Sequence, residues 1–413
     1  MKRFATKCRR IPHTGNHAGF TLVEMLVVMV ILVVVIMISA GAFERIIKVA
    51  GVQTSSADSN IQGVVGLEIM RSDLAHAGFG LPWTPPGSAT FVHNFEESQV
   101  AADALANGID PAAFNSINNA SPDPSKAPQA IQSASASGAE AWEEGRDYLA
   151  IKATSVAMNP TSKHWSYLDG IGVDSSIRQW GNSTDDVAPG DRVITLKLVT
   201  RDQKPYRELV GASAADFSYT VPAAAGGKYV PPAAYQSDSS DIFMVYGVSD
   251  STDLKFPFNR VDYYIRRPGP TERPGIPARC APGTGMLYKA NLRHSDRLVD
   301  QYPLLDCVAD MQVVYSLDSN GDGGVDFHGD ESVLAVMTAE EIRTQLKEIR
   351  VQILTHVGGR DANFTYPASS VRVGDFGAGR DYNLAALDGI GTAWKNYRWK
   401  IYTIVAEPKN IKN

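Results

Sequence analysis

The sequence lacks the surplus of basic residues that nucleic-acid-binding proteins carry. Lys and Arg number 39 against 45 Asp and Glu, for a net charge of −6. Because positive charge holds a phosphate backbone, this composition argues against a direct nucleic-acid partner. The first nineteen residues carry +5 and no acid, so −11 remains for the rest of the chain. A basic tip before an apolar run stays in the cytoplasm during insertion, so we expect the rest to lie beyond the membrane.

Cysteine is scarce, with only Cys8, Cys280 and Cys307 in the chain. Cys8 lies in the basic N-terminal segment, which leaves one pair in the part that we expect to be exported. In an oxidising compartment Cys280 and Cys307 are able to form a disulfide. Such a bridge would close a loop of 27 residues, with a stabilisation of about 3 kcal/mol. Two separate buried thiols are the alternative.

Recognisable catalytic motifs are also lacking. The eight histidines are scattered without a metal-ligand spacing such as H-E-x-x-H. Glycine-rich pieces such as GVSDS at 247–251 lack the lysine of a phosphate-binding loop and read as turns. We interpret Trp142, Trp165, Trp180 and Trp394 as core or surface packing rather than a ligand box. The sequence therefore predicts a protein that is not an enzyme.

The most conspicuous feature present is an apolar run from Phe20 to Phe43 whose one charged residue is Glu24. It is long enough to cross a hydrocarbon core of roughly 30 Å as a helix. In a secretory signal the small residues of the cleavage site follow the apolar core, whereas here Ala18 and Gly19 precede it. A cut at this point would leave the helix attached to the exported part. A simple signal anchor is the alternative.

Glu24 needs a partner, because a carboxylate inside a bilayer costs several kcal/mol. If the chain is cut after Gly19, the new α-amino group of Phe20 is a cation without a fixed partner. Glu24 of a neighbouring subunit would neutralise that amine. We therefore expect Glu24 to set the register of subunit assembly.

The basic leader, the run from Gly19 to Glu24 and the apolar helix together resemble the class III signal of type IV prepilins and pseudopilins. In that family a membrane-embedded aspartyl peptidase cleaves after the glycine and methylates the new N-terminal amine. The resemblance implies cleavage between Gly19 and Phe20, N-methylation of Phe20 and an assembly role for Glu24.

Four later segments resemble the minor pilins of the PilW type. They are MRSDLAHAGFG at 70–80, PFNRVDYYIRRP at 257–268, CAPGTGMLYKA at 280–290 and PLLDCVADMQVVYSLDSNGDG at 303–323. The expected architecture is α+β: a long N-terminal transmembrane and amphipathic helix followed by a mainly antiparallel β-sheet head, as in pilins. We expect a leader at 1–19, the helix at 20–77 with its membrane span at 20–43, and the head at 78–413.

Within the head, β-type runs recur between turn signals. They are Tyr148–Ala153, Asp191–Leu196, Asp241–Tyr246, Arg260–Ile265, Met311–Leu317, Glu348–Thr355 and Tyr397–Val405. Thr338 has the position of an N-cap for a short helix that reaches Gln345. Residues 101–139 are rich in Ala, Ser, Asn and Pro, which predicts a surface loop insertion, with a short helix at 129–136 as the alternative.

One acidic loop has the spacing of a calcium site. Oxygen-bearing residues recur at every second position, and Ca²⁺ takes six to eight such ligands in flexible geometry. The candidate ligands are Asp318, Asn320, Asp322, the carbonyl of Gly324, Asp326 and Asp330. The loop departs from an EF-hand because its twelfth position is Gly329 and a strand precedes it. A hairpin turn that selects Asp, Asn and Gly for geometry alone is the alternative.

These features predict a minor pilin that acts in the assembly or initiation of a type IV pilus and requires no cofactor. Ca²⁺ is the ion that the acidic loop would bind if it is a metal site rather than a turn. The expected partners of the protein are prepilin peptidase, other minor and major pilins, the inner-membrane assembly platform and a tip adhesin. We expect a single inner-membrane span with a periplasmic head, followed by incorporation into the pilus at the cell surface. The alternatives are a pseudopilin of a type II secretion system and a membrane-anchored ligand-binding or hydrolytic domain with a prepilin leader.

Overall fold

The computed structural model describes residues 21–83, 97–98, 109–116, 127–136, 145–170, 172, 175–211, 216–222, 228–236, 238, 240–250, 253–268 and 275–411, with only the backbone described at 41–62. The chain divides into two compact units, Met1–Thr54 and Ser55–Asn413. The division falls inside the first helix. The last turns of that helix therefore belong to the unit that contains the β-sheets.

The α-helices of the described part are α1 (Leu22–His76), α2 (Glu331–Val336) and α3 (Ala339–Gln345). The first strands are β1 (Ile131–Ser135), β2 (Asp147–Ala153), β3 (Trp165–Asp169), β4 (Ser176–Ile177), β5 (Arg192–Arg201), β6 (Lys204–Leu209), β7 (Ser218–Thr220) and β8 (Ile242–Ser249). The later strands are β9 (Asn259–Arg266), β10 (Gly285–Leu292), β11 (Val299–Leu317), β12 (Phe327–Gly329), β13 (Leu346–Val357), β14 (Ser370–Val373), β15 (Arg380–Asn383) and β16 (Arg398–Ala406).

The larger sheet has the order β1-β2-β9-β10-β11-β13-β16, with β12 beside β11. Every pairing in it is antiparallel. The 19-residue strand β11 pairs along its first half with β10 and along its second half with β13, so it joins the two sides of the sheet. A second antiparallel sheet has the order β4-β3-β8-β5-β6, with β7 beside β5, and β14 and β15 form a separate hairpin.

The α+β class, with an N-terminal apolar helix before an antiparallel β head, is confirmed. The predicted capping of α3 is confirmed as well, since the side chain of Thr338 accepts a hydrogen bond from the Glu341 amide. The expectation of a loop throughout 101–139 is wrong for two described pieces. Pro111–Phe114 is a 3₁₀ helix and Ile131–Ser135 is strand β1, not a short helix. Small Ala and Ser side chains hide the alternation of a strand, and pairing with β2 decides its structure.

The C-terminal part of α1 packs on the larger sheet. Leu67, Met70 and Leu74 are buried in one core with residues of β9, β10, β11 and β13. At Gly66 an added Cβ atom would lie 2.5 Å from the carbonyl oxygen of Leu304 in β11. Glycine is therefore required at this position by the close approach of helix and strand.

Candidate functional site

The apolar start of α1 is the first element of the candidate site. Leu22–Ala40 is a 19-residue stretch that is long and apolar enough to cross a membrane. At 1.5 Å per residue it spans about 28 Å, which matches a bilayer core. The rest of the chain leaves its large side chains uncovered, with exposed fractions from 81% at Leu22 to 49% at Val34. A surface of this kind requires lipid or another apolar helix around it.

Thr21 and Glu24 form a capping box at the start of this helix. The amide and hydroxyl groups of Thr21 donate to Oε2 of Glu24 over 2.9 and 3.0 Å. In return, the Glu24 amide donates to Oγ1 of Thr21 over 3.3 Å. The arrangement satisfies backbone N–H groups that have no partner within the helix. Of the residues expected to form the processing and assembly site, only Glu24 can be placed, because Gly19 and Phe20 lie outside the described residues.

The head contains the same motif in a different environment. Thr338 donates through its amide and hydroxyl groups to Oε2 of Glu341 over 2.7 and 2.9 Å, and the Glu341 amide donates back over 3.2 Å. Hydrogen bonding to the Thr338 amide, and then to its hydroxyl, lowers the pKa of Glu341. The two boxes share one geometry, so any functional difference between Glu24 and Glu341 must come from what surrounds them.

A buried ion pair fixes the C-terminal part of α1 to the head. Oδ2 of Asp73 accepts hydrogen bonds from Nζ of Lys289 in β10 and from the hydroxyl of Tyr263 in β9, each over 2.5 Å. Lys289 also donates to the carbonyl of Val156 over 3.0 Å. Burial and the adjacent Asp73 carboxylate raise the pKa of Tyr263 well above its ordinary value. The sequence analysis did not predict this ion pair. The signal that could have indicated it is Asp73 itself, a charged residue on the apolar face of a helix.

The structure brings the two predicted cysteines together. Cys280, just before β10, and Cys307, within β11, form a disulfide with their Cα atoms 4.8 Å apart. Cys280 is 8% exposed and Cys307 1% exposed. His356 supports this region, because its Nε2 accepts the amide hydrogen of Ala281 over 2.8 Å. Burial lowers the pKa of His356 to about 4.

The acidic loop after β11 is closed by its own hydrogen bonds. Oδ1 and Oδ2 of Asp318 accept the amides of Gly321 and Gly323 over 2.7 and 2.9 Å. Oδ2 also lies 2.8 Å from Nζ of Lys347. Hydrogen bonding to Lys347, followed by these backbone amides, lowers the pKa of Asp318. The carboxylate is therefore already occupied by N–H donors.

The other predicted calcium ligands have local partners too. Asp322 accepts the Gly324 amide over 2.8 Å, and Asn320 accepts the Asp322 amide over 2.9 Å. Asp326 accepts from the amide and hydroxyl of Ser319 over 2.7 and 3.0 Å. Asp330 caps α2. Within the described ranges the one group of three or more His, Cys, Asp or Glu side chains whose ligand atoms converge is Cys280, Asp306 and Cys307, which contains the disulfide.

Comparison with known proteins gives one match. Residues 14–40 fit the family model described as the prokaryotic N-terminal methylation motif. No curated protein and no solved structure matches the chain. The match supports a prepilin-type signal, and hence a processed, type IV pilin-like or pseudopilin-like protein that is anchored through its N-terminal helix. Processing by prepilin peptidase and assembly with other pilins in a membrane machinery follow from that motif.

Proposed function

We propose that this chain is a minor pilin of the PilW type that acts in the assembly or initiation of a type IV pilus. The observation that carries the proposal is the exposed apolar helix with Glu24 near its start, inside the matched segment 14–40. The apolar side chains of this helix are exposed on every side. Such a helix suits a subunit that moves from lipid into a bundle of similar helices. We place the head in the periplasm because a basic leader is retained on the cytoplasmic side of the membrane.

Glu24 acts through an exchange of partners. Before processing, its carboxylate accepts from the Thr21 amide and hydroxyl over 2.9 and 3.0 Å, which reduces the cost of holding a charge near lipid. Cleavage after Gly19 creates a cationic amine at Phe20. In the fibre, Glu24 of one subunit pairs with the amine of its neighbour, because a charge-assisted pair in an apolar environment is stronger than bonds to neutral donors. The helix is thereby held at one register.

The head remains attached to the helix throughout this movement. The buried contacts of Asp73 with Lys289 and Tyr263 join α1 to β10 and β9. Force that is applied to the helix as the subunit leaves the bilayer therefore passes directly into the larger sheet. The head would then contact other minor pilins, the assembly platform and a tip adhesin.

Replacement of Gly19 by valine tests the processing step. We expect the variant to accumulate in the inner membrane as a precursor that is longer by the leader, with no methyl group on Phe20 by mass spectrometry. Cells that carry it should have few or no pili by electron microscopy. Normal processing would overturn the prepilin assignment. Intact piliation together with loss of exoprotein secretion in a deletion strain would favour the type II secretion alternative.

A further inference from the structure

Two tryptophans lie exposed on the second sheet. In β3, Trp165 and Tyr167 share the outer face while Ser166 and Leu168 point into the core. Trp180, shortly after β4, joins them from the adjacent turn, and its indole N–H donates to the carbonyl of Trp165 over 2.7 Å. Trp165 is 38% exposed and Trp180 42% exposed. Two neighbouring tryptophans that are both partly exposed form a contiguous apolar surface, which is the kind of surface that binding sites use.

These rings form a continuous cluster, which we call the aromatic patch: Phe79, Trp165, Tyr167 and Trp180. The ring centroids of Trp165 and Trp180 are 5.1 Å apart with their planes inclined at 56°. Tyr167 meets Trp180 at 5.8 Å and 70°, and Phe79 meets Trp165 at 6.4 Å and 86°. Tilted and edge-to-face arrangements are those in which aromatic rings usually pack, so the four rings hold one another in place and fix the exposed parts of Trp165 and Trp180.

Polar groups border the aromatic patch. The guanidinium of Arg178 lies 5.1 Å from the centroid of Tyr167. The carboxylate of Asp186 accepts the backbone amide of Trp180, and exposed Asn182 and Asp185 lie in the same turn, joined by a 2.7 Å hydrogen bond. The patch therefore presents two partly exposed indole rings beside charged and hydrogen-bonding groups.

We propose that the aromatic patch binds a neutral carbohydrate chain. The C–H faces of a sugar ring pack on aromatic side chains, while its hydroxyl groups donate to carboxylate oxygens such as those of Asp185. The carboxylates of Asp169, Asp185 and Asp186 would repel a phosphodiester backbone, so nucleic acid is disfavoured. The outer face of β3 offers rings and polar groups, not the row of aliphatic side chains that an amphipathic helix requires.

The test is titration of the full-length chain, solubilised in lauryldimethylamine oxide because sugar-headed detergents would compete. Cellohexaose, maltohexaose, chitohexaose and mannohexaose serve as probes in isothermal titration calorimetry. We expect saturable binding of at least one of them. Trp180→Ala should weaken that binding about tenfold, the size of one lost stacking contact. Trp180→Phe, which keeps a ring, should restore most of it.

Phe376→Ala is the matched control, because this phenylalanine is 56% exposed on the β14–β15 loop and outside the patch. We expect it to bind the same oligosaccharide as the wild type does. Asp185→Ala, which leaves every ring in place, should weaken binding as well. Failure of all four probes to bind would overturn the proposal, as would equal losses in Trp180→Ala and Phe376→Ala. Tighter binding of single-stranded oligonucleotide than of any sugar would also overturn it. Normal processing at Gly19 is independent of all these outcomes.

Discussion

Asp73 of α1 and Lys289 of β10 form a buried ion pair with 2.5 Å between Oδ2 and Nζ. Removing one partner leaves an unpaired charge in the core, which costs far more than the pair contributes when intact. We expect Asp73→Ala to lower the free energy of unfolding by about 3 to 5 kcal/mol. Denaturant unfolding of the full chain in detergent measures this loss.

The matched control, Glu68, lies on the same helix about one and a half turns before Asp73. Arg71 and Glu68 form an ion pair at 3.0 Å, but both side chains are more than half exposed. Glu68→Ala should leave the unfolding midpoint unchanged within error. The double variant Asp73→Leu/Lys289→Met should recover much of the stability that Asp73→Ala loses, because no charge is then left unpaired. Equal effects of Asp73→Ala and Glu68→Ala would contradict the proposed attachment of helix to head.

The two capping boxes separate the assembly role of Glu24 from simple helix capping. Glu24→Gln retains a side-chain acceptor for Thr21 but removes the charge, so we expect normal cleavage at Gly19 and loss of piliation. Glu341→Gln makes the same change in the head, where we expect at most a slight loss of stability and normal pili. Immunoblots report cleavage, and electron microscopy reports piliation. Normal pili in Glu24→Gln would contradict the partner exchange at this residue.

Thiol counting tests the disulfide together with processing. The chain has three cysteines, of which Cys280 and Cys307 are bridged and Cys8 precedes the expected cleavage point. Denatured precursor should therefore react with one equivalent of thiol reagent, and processed protein with none. Cys307→Ser should lower the free energy of unfolding by about 3 kcal/mol, whereas Cys8→Ser should not change it. Three reactive thiols in the precursor would contradict the bridge.

Local patterns in the sequence were enough to predict the start of α1, the capping of α3 and seven of the sixteen described strands: β2, β5, β8, β9, the second half of β11, β13 and β16. Each depends on residues a few positions apart. Strand β1 was missed because Ala and Ser carry almost no β signal, and only pairing with β2 defines it. The Asp73–Lys289 pair joins residues 216 positions apart, which no local pattern specifies. The cysteine pair was predictable only because no other exported cysteine competes.

The acidic loop illustrates a pattern with two physical causes. Alternating Asp, Asn and Gly residues suit calcium and tight turns equally well, so their spacing alone does not decide between the two. The contact that bears on calcium binding is the 2.8 Å pair of Lys347 and Asp318, which only tertiary structure provides.

If the loop binds calcium, the ammonium of Lys347 competes with the ion for Asp318. Lys347→Met should then strengthen Ca²⁺ binding, and Asp318→Asn should abolish it. Isothermal titration of the full chain with CaCl₂ measures both. Lys204→Met is the control, because this lysine pairs with Glu340 at 2.8 Å, away from the loop. Absence of calcium heat in both wild type and Lys347→Met would show that the loop is a turn stabilised by its own hydrogen bonds.

Buried histidines make the head sensitive to acid. Burial lowers the pKa of His294 from 6.5 to about 3, and its ring stacks on Phe256 with 4.1 Å between centroids. Its ring nitrogens contact the amide of Lys255 at 3.4 Å and the side chain of Asn259 at 3.2 Å. The pKa of His294 is lower in the folded chain than in the unfolded chain. Between about pH 3 and 6.5 the histidine is therefore protonated in the unfolded chain and neutral in the folded chain. The contribution of His294 to the free energy of unfolding therefore falls as pH drops through this window.

Replacing His294 by glutamine removes the group that takes up this proton on unfolding. Between pH 6.5 and pH 5 we expect the wild type to lose about 1.5 kcal/mol more unfolding free energy than His294→Gln, whatever the variant loses at neutral pH. Phe256→Leu serves as the control, because it weakens packing against the same ring without removing a titrating group. The free energy of unfolding of this variant should change with pH in parallel with that of the wild type. Denaturant unfolding at a series of pH values gives the three profiles, and parallel profiles for wild type and His294→Gln would show that His294 is not held neutral by burial.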